Sequence, residues 1–182
     1  MPNWCTNNLI IQGSSEDVDF MLNAIKDEQD RSPISLNSII KMPEALQGTA
    51  PQKDEEIAEE NIKLYGHSDW YNWRVTNWGT KWDVQASIVY DRTMINLPGY
   101  RTVQISFDSA WSPPIEAINV MAKRFPNVKI LHTFDERGVD FSGWRYYDSG
   151  EIADEVSLGT SFSSIAEVMS PDDVEAVFER FQ

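Results

Sequence analysis

The chain has 182 residues, of which 15 are Lys or Arg and 29 are Asp or Glu, and its formal net charge is -14. This length is enough for one domain with a substantial core, and a hydrophobic content of 41% excludes a disordered chain. One cysteine excludes a disulfide framework, and with only two histidines we expect neither a metal site nor a cofactor. The first residues lack a basic signal region and no apolar run approaches the roughly 20 residues of a membrane span, so we expect a cytoplasmic protein without membrane contact.

The negative charge is concentrated in two parts of the chain. Residues 53–69 carry a net charge of -4 and residues 149–182 a net charge of -7, whereas residues 70–148 are close to neutral. The same neutral stretch contains six of the seven tryptophans. Overall acidity argues against binding to a phosphate backbone, but this distribution leaves that option open for the central region.

The first part of the chain predicts a strand followed by a helix. Residues 1–12 form the strand, which ends in an apolar run before Gly13. Ser14 is the expected helix cap, and the apolar face of the helix consists of Val18, Met21, Leu22 and Ile25.

An irregular segment follows this helix. Residues 35–42 form a short apolar piece that we expect to be an irregular strand. Residues 44–69 have the composition of an insertion, with an acidic helix over 54–65. Residues 70–83 are aromatic and polar without a clear period.

Alternating patterns dominate the second part of the chain. Strands are predicted over 84–90 and 102–107, on either side of a turn at 97–99. Ser112 as a hydroxyl cap, followed by Pro113, predicts the start of a helix. Its buried face consists of Ile115, Ile118, Met121, Ala122 and Phe125.

A further strand over 128–134 is followed by a hairpin partner over 140–147. The remaining residues, 151–182, are predicted to form an acidic tail with two short helices. The apolar side of the second helix carries Val174, Val177, Phe178 and Phe181.

These elements predict an α+β protein. Without residues 32–83, their order is strand, helix, strand, strand, helix, strand, which is the split β-α-β arrangement of a ferredoxin-like antiparallel sheet. We therefore expect one ferredoxin-like domain over 1–150 with an inserted helical segment, and a C-terminal helical tail over 151–182 packed on the same domain. Two helices cover one face of such a sheet, so the other face requires a cover from the insertion or the tail.

Several short motifs stand out along the chain. The Asn77 to Asp83 run is the most specific, and the others are residues 1–8, Ala110 to Pro114, Phe125-Pro126, Glu136 with Gly138, and Phe141 to Gly143. Together these motifs resemble the YubB ferredoxin-like family. Proteins of that family are largely uncharacterised and occur in phages, prophages and conjugative plasmids. The resemblance implies a fold and a genetic setting, and no established reaction.

The predicted recognition surface consists of Asn77, Trp78, Lys81, Trp82 and Trp111. Indole rings beside a lysine and an amide offer flat apolar area together with directional hydrogen bonds. The alternative role is structural, with the two tryptophans of the 77–83 run covering the sheet and Gly79 permitting a tight turn.

The function that we expect from the sequence is that of a non-enzymatic accessory protein of phage or plasmid type. It would act by contact with a host or phage protein, for example by inhibiting a host factor, and the sequence leaves its oligomeric state open. One alternative is single-stranded nucleic-acid binding through the Trp-rich region. Another is a small hydrolase that uses Cys5 with His132, or Asp108 with Glu136.

Overall fold

The computed structural model describes residues 3–50, 55–94, 97–138 and 141–158, with side chains described to residue 156. A six-stranded antiparallel sheet in the order β2-β3-β1-β4-β5-β6 forms its centre. The strands are β1 (Trp4–Ser14), β2 (Ala86–Thr93), β3 (Tyr100–Ala110), β4 (Lys129–Glu136), β5 (Phe141–Asp148) and β6 (Glu151–Leu158).

Five α-helical segments accompany the sheet in the described part of the chain. They are α1 (Ser15–Ile25), α2 (Leu36–Ile39), α3 (Glu55–Tyr65), α4 (Trp70–Trp78) and α5 (Ile115–Arg124), with one turn of 3-10 helix at Glu44–Leu46. None of these described helices is long and apolar enough to cross a bilayer.

The predicted split β-α-β arrangement is confirmed. Strand β1 lies between β3 and β4, so that Leu9 faces Ile105 on one side and His132 on the other. Strand β2 pairs with the outer edge of β3, and β5 extends the sheet beyond β4 as the sequence predicts. The Ser14 cap of α1 is also present, since the backbone N–H of Asp17 donates to Ser14 Oγ at 3.1 Å.

The expected helical tail is wrong for its first eight residues. Residues 151–158 form β6, which pairs antiparallel with β5, and Glu151 faces Asp148 directly after the turn. Ser149 and Gly150 both have positive φ, 54° and 80°, which suits the right-handed twist of a tight hairpin. The other predicted tail residues, 159–182, lie outside the described residues.

Three local predictions also differ from the structure. Residues 35–42 contain the short helix α2 and no strand, because Ser35 and the carboxylate of Asp83 cap its first N–H groups. The aperiodic 70–83 segment contains helix α4. Ser112 does not cap α5, since its hydroxyl donates to the carbonyl of Gly79 at 2.5 Å.

The core has two parts, one on each face of the sheet. On the helix face, β1 residues Leu9 and Ile11 pack with α1, α5 and residues of the 32–83 segment, namely Leu36, Ile39, Leu46, Trp73 and Trp78. On the opposite face Ile10, Leu131 and Tyr146 form a second buried cluster. Leu46 of the 44–69 insertion belongs to the helix-face layer and Tyr65 packs against it, so the expectation that the insertion covers the opposite face is wrong.

His132 is a fully buried, neutral member of the helix-face layer. Its Nε2 hydrogen-bonds with Asn7 Oδ1 at 3.0 Å, and its ring contacts Phe134 edge to face. Burial, aided by the positive charge of Arg145, lowers the pKa of His132 to about 3.

This shift predicts a loss of stability in acid. The unfolded chain binds a proton at His132 near pH 6.5 and the folded chain only near pH 3, so the contribution present above pH 6.5 is lost as the pH falls between these values. By pH 4 the loss from this group is about 3 kcal/mol. Urea unfolding gives the free energy of unfolding of the parent and of His132→Gln at pH 7 and pH 4. The decrease from pH 7 to pH 4 should be larger in the parent by the contribution of His132. Equal pH dependences in both proteins would contradict the assignment.

Gly143 in β5 is required by the close approach of its neighbours. A Cβ atom at this position would lie 2.3 Å from the Val156 carbonyl oxygen and 2.8 Å from the Phe134 ring. We predict that Gly143→Ala lowers the free energy of unfolding by about 1–3 kcal/mol through overpacking. Gly13→Ala is the control, because its nearest neighbour would be at 3.4 Å, and its loss should be smaller in the same denaturation experiment. A Gly13→Ala loss as large as that of Gly143→Ala would show that the contacts at Gly143 are not limiting.

Candidate functional site

Helix α4 begins at a buried capping aspartate. The side chain of Asp69 accepts hydrogen bonds from the backbone N–H groups of Tyr71 at 2.8 Å and Asn72 at 3.0 Å. Burial raises the pKa of the Asp69 carboxyl, but hydrogen bonds from Ser68, Asn72 and Tyr71 outweigh it and hold this pKa below its ordinary value. The helix ends at Gly79, whose φ of 86° is the left-handed conformation that glycine adopts without strain.

The turn after α4 is fixed against the end of β3. Thr80 Oγ1 donates to the carbonyl of Ala110 at 2.7 Å, and Ser112 Oγ donates to the carbonyl of Gly79. A Cβ atom on Gly79 would lie 3.1 Å from the Pro113 carbonyl oxygen, so the two segments are in close contact. The 77–83 and 110–114 motifs of the sequence therefore meet in space, at one end of the sheet.

Trp78 is a core residue and is not part of a recognition surface. It is 1% exposed, its Nε1 donates to the carbonyl of Ile40 at 2.9 Å, and its ring lies edge to face with Trp73. The expectation that Trp78 contacts a partner is wrong, because its indole anchors the insertion to the helix side of the sheet. Asn77 is half-buried, and its Nδ2 donates to the Trp73 carbonyl at 2.8 Å. This amide N–H is therefore already bonded within α4.

Large aromatic side chains remain exposed at this end of the sheet. The exposed fractions are 52% for Trp4, 44% for Tyr71, 36% for Trp82 and 49% for Trp111. Together with Lys81 these residues are called the tryptophan surface below. Exposed indoles in such number are characteristic of binding surfaces.

The members of the tryptophan surface are held by contacts with one another and with the strand ends. The ring centroids of Trp4 and Trp82 are 6.0 Å apart, and Lys81 Nζ lies 4.9 Å from the centre of the Trp82 ring and 5.7 Å from that of Tyr71. The backbone N–H of Trp111 donates to the carbonyl of Asn3 at 3.0 Å, which places Trp111 beside the start of β1.

A groove with a cationic wall adjoins the tryptophan surface. The guanidinium of Arg74 lies 5.1 Å from the centre of the Trp70 ring and 4.9 Å from that of Trp78, and burial lowers the pKa of this arginine. The groove has a volume of about 490 Å³ and is lined by Met42, Gln47, Gly48, Trp70, Arg74 and Trp82.

The two cations of this region have aromatic rings as their neighbours. Within the described ranges neither Arg74 nor Lys81 forms an ion pair, although other arginines of this acidic chain do. Asp83 exerts an attraction on Arg74, but its carboxylate accepts hydrogen bonds from Ser35 Oγ at 2.7 Å and from the Leu36 N–H at 2.6 Å. The positive charges therefore remain available to a negatively charged group of a ligand.

The structure brings together Lys81, Trp82 and Trp111 of the predicted set, and sequence reasoning missed Trp4, Tyr71 and the Arg74 groove. The sequence does contain a signal for helix α4 and for the position of Arg74 on it. Asp69 is a capping residue before α4 and Gly79 a typical helix end, and Arg74 stands four residues from both Trp70 and Trp78, the spacing of neighbours on one helix face.

Cys5 and His132 do not form a catalytic pair. Both side chains are buried, but His132 faces Leu9, four residues along β1 from Cys5. Burial raises the pKa of the Cys5 thiol to about 12, so the thiolate is scarce at neutral pH. This arrangement contradicts the hydrolase alternative that uses these two residues.

The carboxylates of Asp108 and Glu136 do not converge either. Asp108, Thr6 and Asp135 form one row across three strands, and Glu136 follows Asp135, so its side chain belongs to the opposite face. Asp108 accepts a hydrogen bond from Thr6 Oγ1 at 3.0 Å, and Glu136 accepts one from the N–H of Gly138 at 2.9 Å. Within the described part of the chain, no group of three His, Cys, Asp or Glu residues could hold a metal ion.

Comparison with known proteins agrees with this fold. The uncharacterized protein YubB of Escherichia coli (strain K12) is 28% identical over 116 residues, which cover 60% of this chain and 76% of that protein. The crystal structure of protein api92 from Yersinia pseudotuberculosis matches with a TM-score of 0.54 over 88% of this chain and 99% of that chain. Its sequence identity of 13% limits that match to the fold.

A family model described as the ferredoxin-like domain in Api92-like protein matches residues 77–178, more than half of the chain. The resemblance to the YubB family that the sequence motifs predict is confirmed by these matches. The chain belongs to the family of ferredoxin-like domains in Api92-like proteins.

Proposed function

We propose that this chain is a non-enzymatic accessory protein, of the type carried by phages and plasmids, that acts by contact with a partner protein. One observation carries the proposal. Three exposed tryptophans and a tyrosine share one end of the sheet with two cations that have no ion-pair partner in the described part of the chain.

The composition of this end favours a protein partner. Trp, Tyr and Arg are the residues enriched at the centres of protein interfaces, where each buried aromatic ring contributes about 150–250 Å² of contact area. The rings stand on a rigid support, because Thr80 and Ser112 bond the turn after α4 to the end of β3. Such a prearranged surface loses little entropy when a partner binds.

The charges indicate the kind of partner segment. Arg74 and Lys81 lie beside the groove and the exposed rings in a chain with a net charge of -14. A partner that places an acidic side chain over these cations and an apolar one on Trp82 would match both properties of the surface. A host protein that the accessory protein inhibits is one such partner.

Single-stranded nucleic acid is the second candidate ligand. The observation in its favour is the placement of Lys81 over the Trp82 and Tyr71 rings, since flat rings beside cations can stack bases and hold phosphates. Overall acidity and the small number of cations weigh against it.

Stability measurements separate the anchoring tryptophan from the exposed one. Trp78→Ala should lower the free energy of unfolding by about 3–5 kcal/mol, because it leaves a cavity and an unpaired Ile40 carbonyl. Trp82→Ala should lower it by under about 1 kcal/mol, since its ring is partly in solvent. Chemical denaturation checks both values, and similar losses would mean that Trp82 is also a structural residue.

Partner capture tests the proposal itself. Affinity capture from host lysate followed by mass spectrometry should retain a specific protein on the parent chain, and Trp82→Ala or Trp111→Ala should reduce its recovery at least about tenfold. Tyr100→Ala is the matched control, because Tyr100 is 42% exposed at the opposite end of β3, and it should capture as the parent does. Equal capture by all three folded variants would refute the tryptophan surface as the contact site.

The same variants decide between the two ligand classes. If the surface binds nucleic acid, a single-stranded oligonucleotide should give a gel shift at low salt that weakens as salt rises and that Trp82→Ala abolishes. This result would favour nucleic acid over a protein as the ligand. No shift at low salt would exclude the nucleic-acid candidate.

A further inference from the structure

A second groove lies at the end of the sheet opposite the tryptophan surface. Strands β1 and β5 end there, at Ser14 and Asp148, and strands β3 and β4 begin there, at Tyr100 and Lys129. All four residues line the groove, which has a volume of about 570 Å³. This volume falls within the range of about 300–1,000 Å³ that is typical of small-molecule sites. The groove shares no lining residue with the tryptophan surface or with the groove at Arg74.

Hydrogen-bond donors and acceptors stand side by side in this groove. Lys129 Nζ lies 3.6 Å from Asp148 Oδ2, whereas a direct charge-assisted hydrogen bond is about 2.7–2.9 Å long. Asn127 Nδ2 donates to Asp17 Oδ1 at 3.2 Å. A lysine ammonium can only donate and a carboxylate can only accept, but a hydroxyl does both. A single hydroxyl group of a ligand can therefore bridge Lys129 and Asp148.

An amide and an aromatic ring add to this lining. Gln12 lies between Thr102 and Lys129 in the register of the sheet, and its Nε2 donates to Thr102 Oγ1 at 3.4 Å. Within the described ranges its Oε1 accepts no hydrogen bond, so this oxygen is available to a ligand hydroxyl. Tyr100 is 42% exposed beside it and offers an apolar ring face.

The charges of the groove favour a neutral ligand. Its charged lining residues are Asp17, Asp148 and Lys129, which give two negative charges and one positive charge, a net charge of -1. A phosphate or carboxylate ligand would be repelled by the two aspartates, and an ammonium ligand by Lys129. A neutral ligand with several hydroxyl groups meets no like charge and can use the donors and the acceptors together.

We propose that this groove binds a saccharide. Asp148, Lys129 and Gln12 are the hydroxyl-binding groups, and the exposed ring of Tyr100 lies beside them. Sugars combine neighbouring hydroxyl groups with an apolar C–H face, and the groove offers a counterpart to each. The inference is independent of the proposed partner contact, because the two sites share no residue and lie at opposite ends of the sheet.

NMR titration of the full isotope-labelled chain tests this assignment. The probes are glucose, galactose, mannose and N-acetylglucosamine at millimolar concentration, with inorganic phosphate and methylammonium as charged comparisons. At least one saccharide should shift the amide signals of Gln12 and Lys129 and leave that of Trp82 unchanged. Asp148→Ala should weaken this binding about tenfold or more, because it removes the acceptor of a charge-assisted hydrogen bond.

Asp108→Ala is the matched control, since Asp108 is an exposed strand carboxylate at the other end of β3 and its loss should leave the saccharide affinity unchanged. Lys129→Gln replaces Asp148→Ala if the latter does not retain the parent spectrum, and it should weaken binding in the same way. The proposal is overturned if no saccharide shifts the groove signals, or if the groove variant and Asp108→Ala lose affinity equally. Tighter binding of phosphate or methylammonium than of any saccharide at these residues would also overturn it.

Discussion

The double burial of strand β1 is the constraint on which the rest of the structure depends. This strand is hydrogen-bonded along both edges, to β3 and to β4, and its alternate residues are buried on both faces. Leu9 and Ile11 require an apolar cover on one side, and Ile10 requires one on the other. A sheet with such a central strand is stable only between two layers, because each uncovered apolar side chain forfeits about 1.5–3 kcal/mol of hydrophobic stabilisation.

The helix-side layer explains where the candidate site lies. Helices α1 and α5 cover the middle of the sheet, and residues that flank the 44–69 insertion extend this layer through Trp78, whose indole N–H donates to the Ile40 carbonyl. After the buried Trp78, Gly79 ends the helix in the left-handed conformation, and Thr80, which is also buried, bonds the chain to the end of β3. Trp82 is exposed and Lys81 is partly exposed beside this anchored tryptophan, so the position of the tryptophan surface follows from how Trp78 is held.

The charged side chains of the described residues have two kinds of neighbour, carboxylates and aromatic rings. Several arginines pair with carboxylates, as Arg101 does with Asp19 and Asp91. Arg74 and Lys81 have aromatic rings as their neighbours instead. The net charge of -14 therefore describes the chain as a whole and says little about the local field at the tryptophan surface.

Local periodicity was sufficient for the elements whose stabilising contacts repeat along the chain. The apolar spacing in α1 and α5 and the alternation in β3 and β4 identify them from sequence, and the order of these elements alone indicates the split β-α-β sheet. Helix α4 and strand β6 were not predicted, because the hydrophobic pattern of each is ambiguous. The tryptophans of α4 include both buried Trp73 and partly exposed Trp70, and the acidic composition of β6 concealed a strand that is fixed by the turn at Gly150.

The candidate site shows the same division most clearly. By itself the sequence determined the fold, the family motifs and the region in which the tryptophans are concentrated, since all three depend on residue type and spacing. Only the tertiary structure decided that Trp78 is buried and Trp82, four residues later, is exposed. The physical reason is that burial here depends on contacts with Ile40 and with the end of β3, which are distant in sequence. Such contacts do not produce a hydrophobic periodicity around position 78.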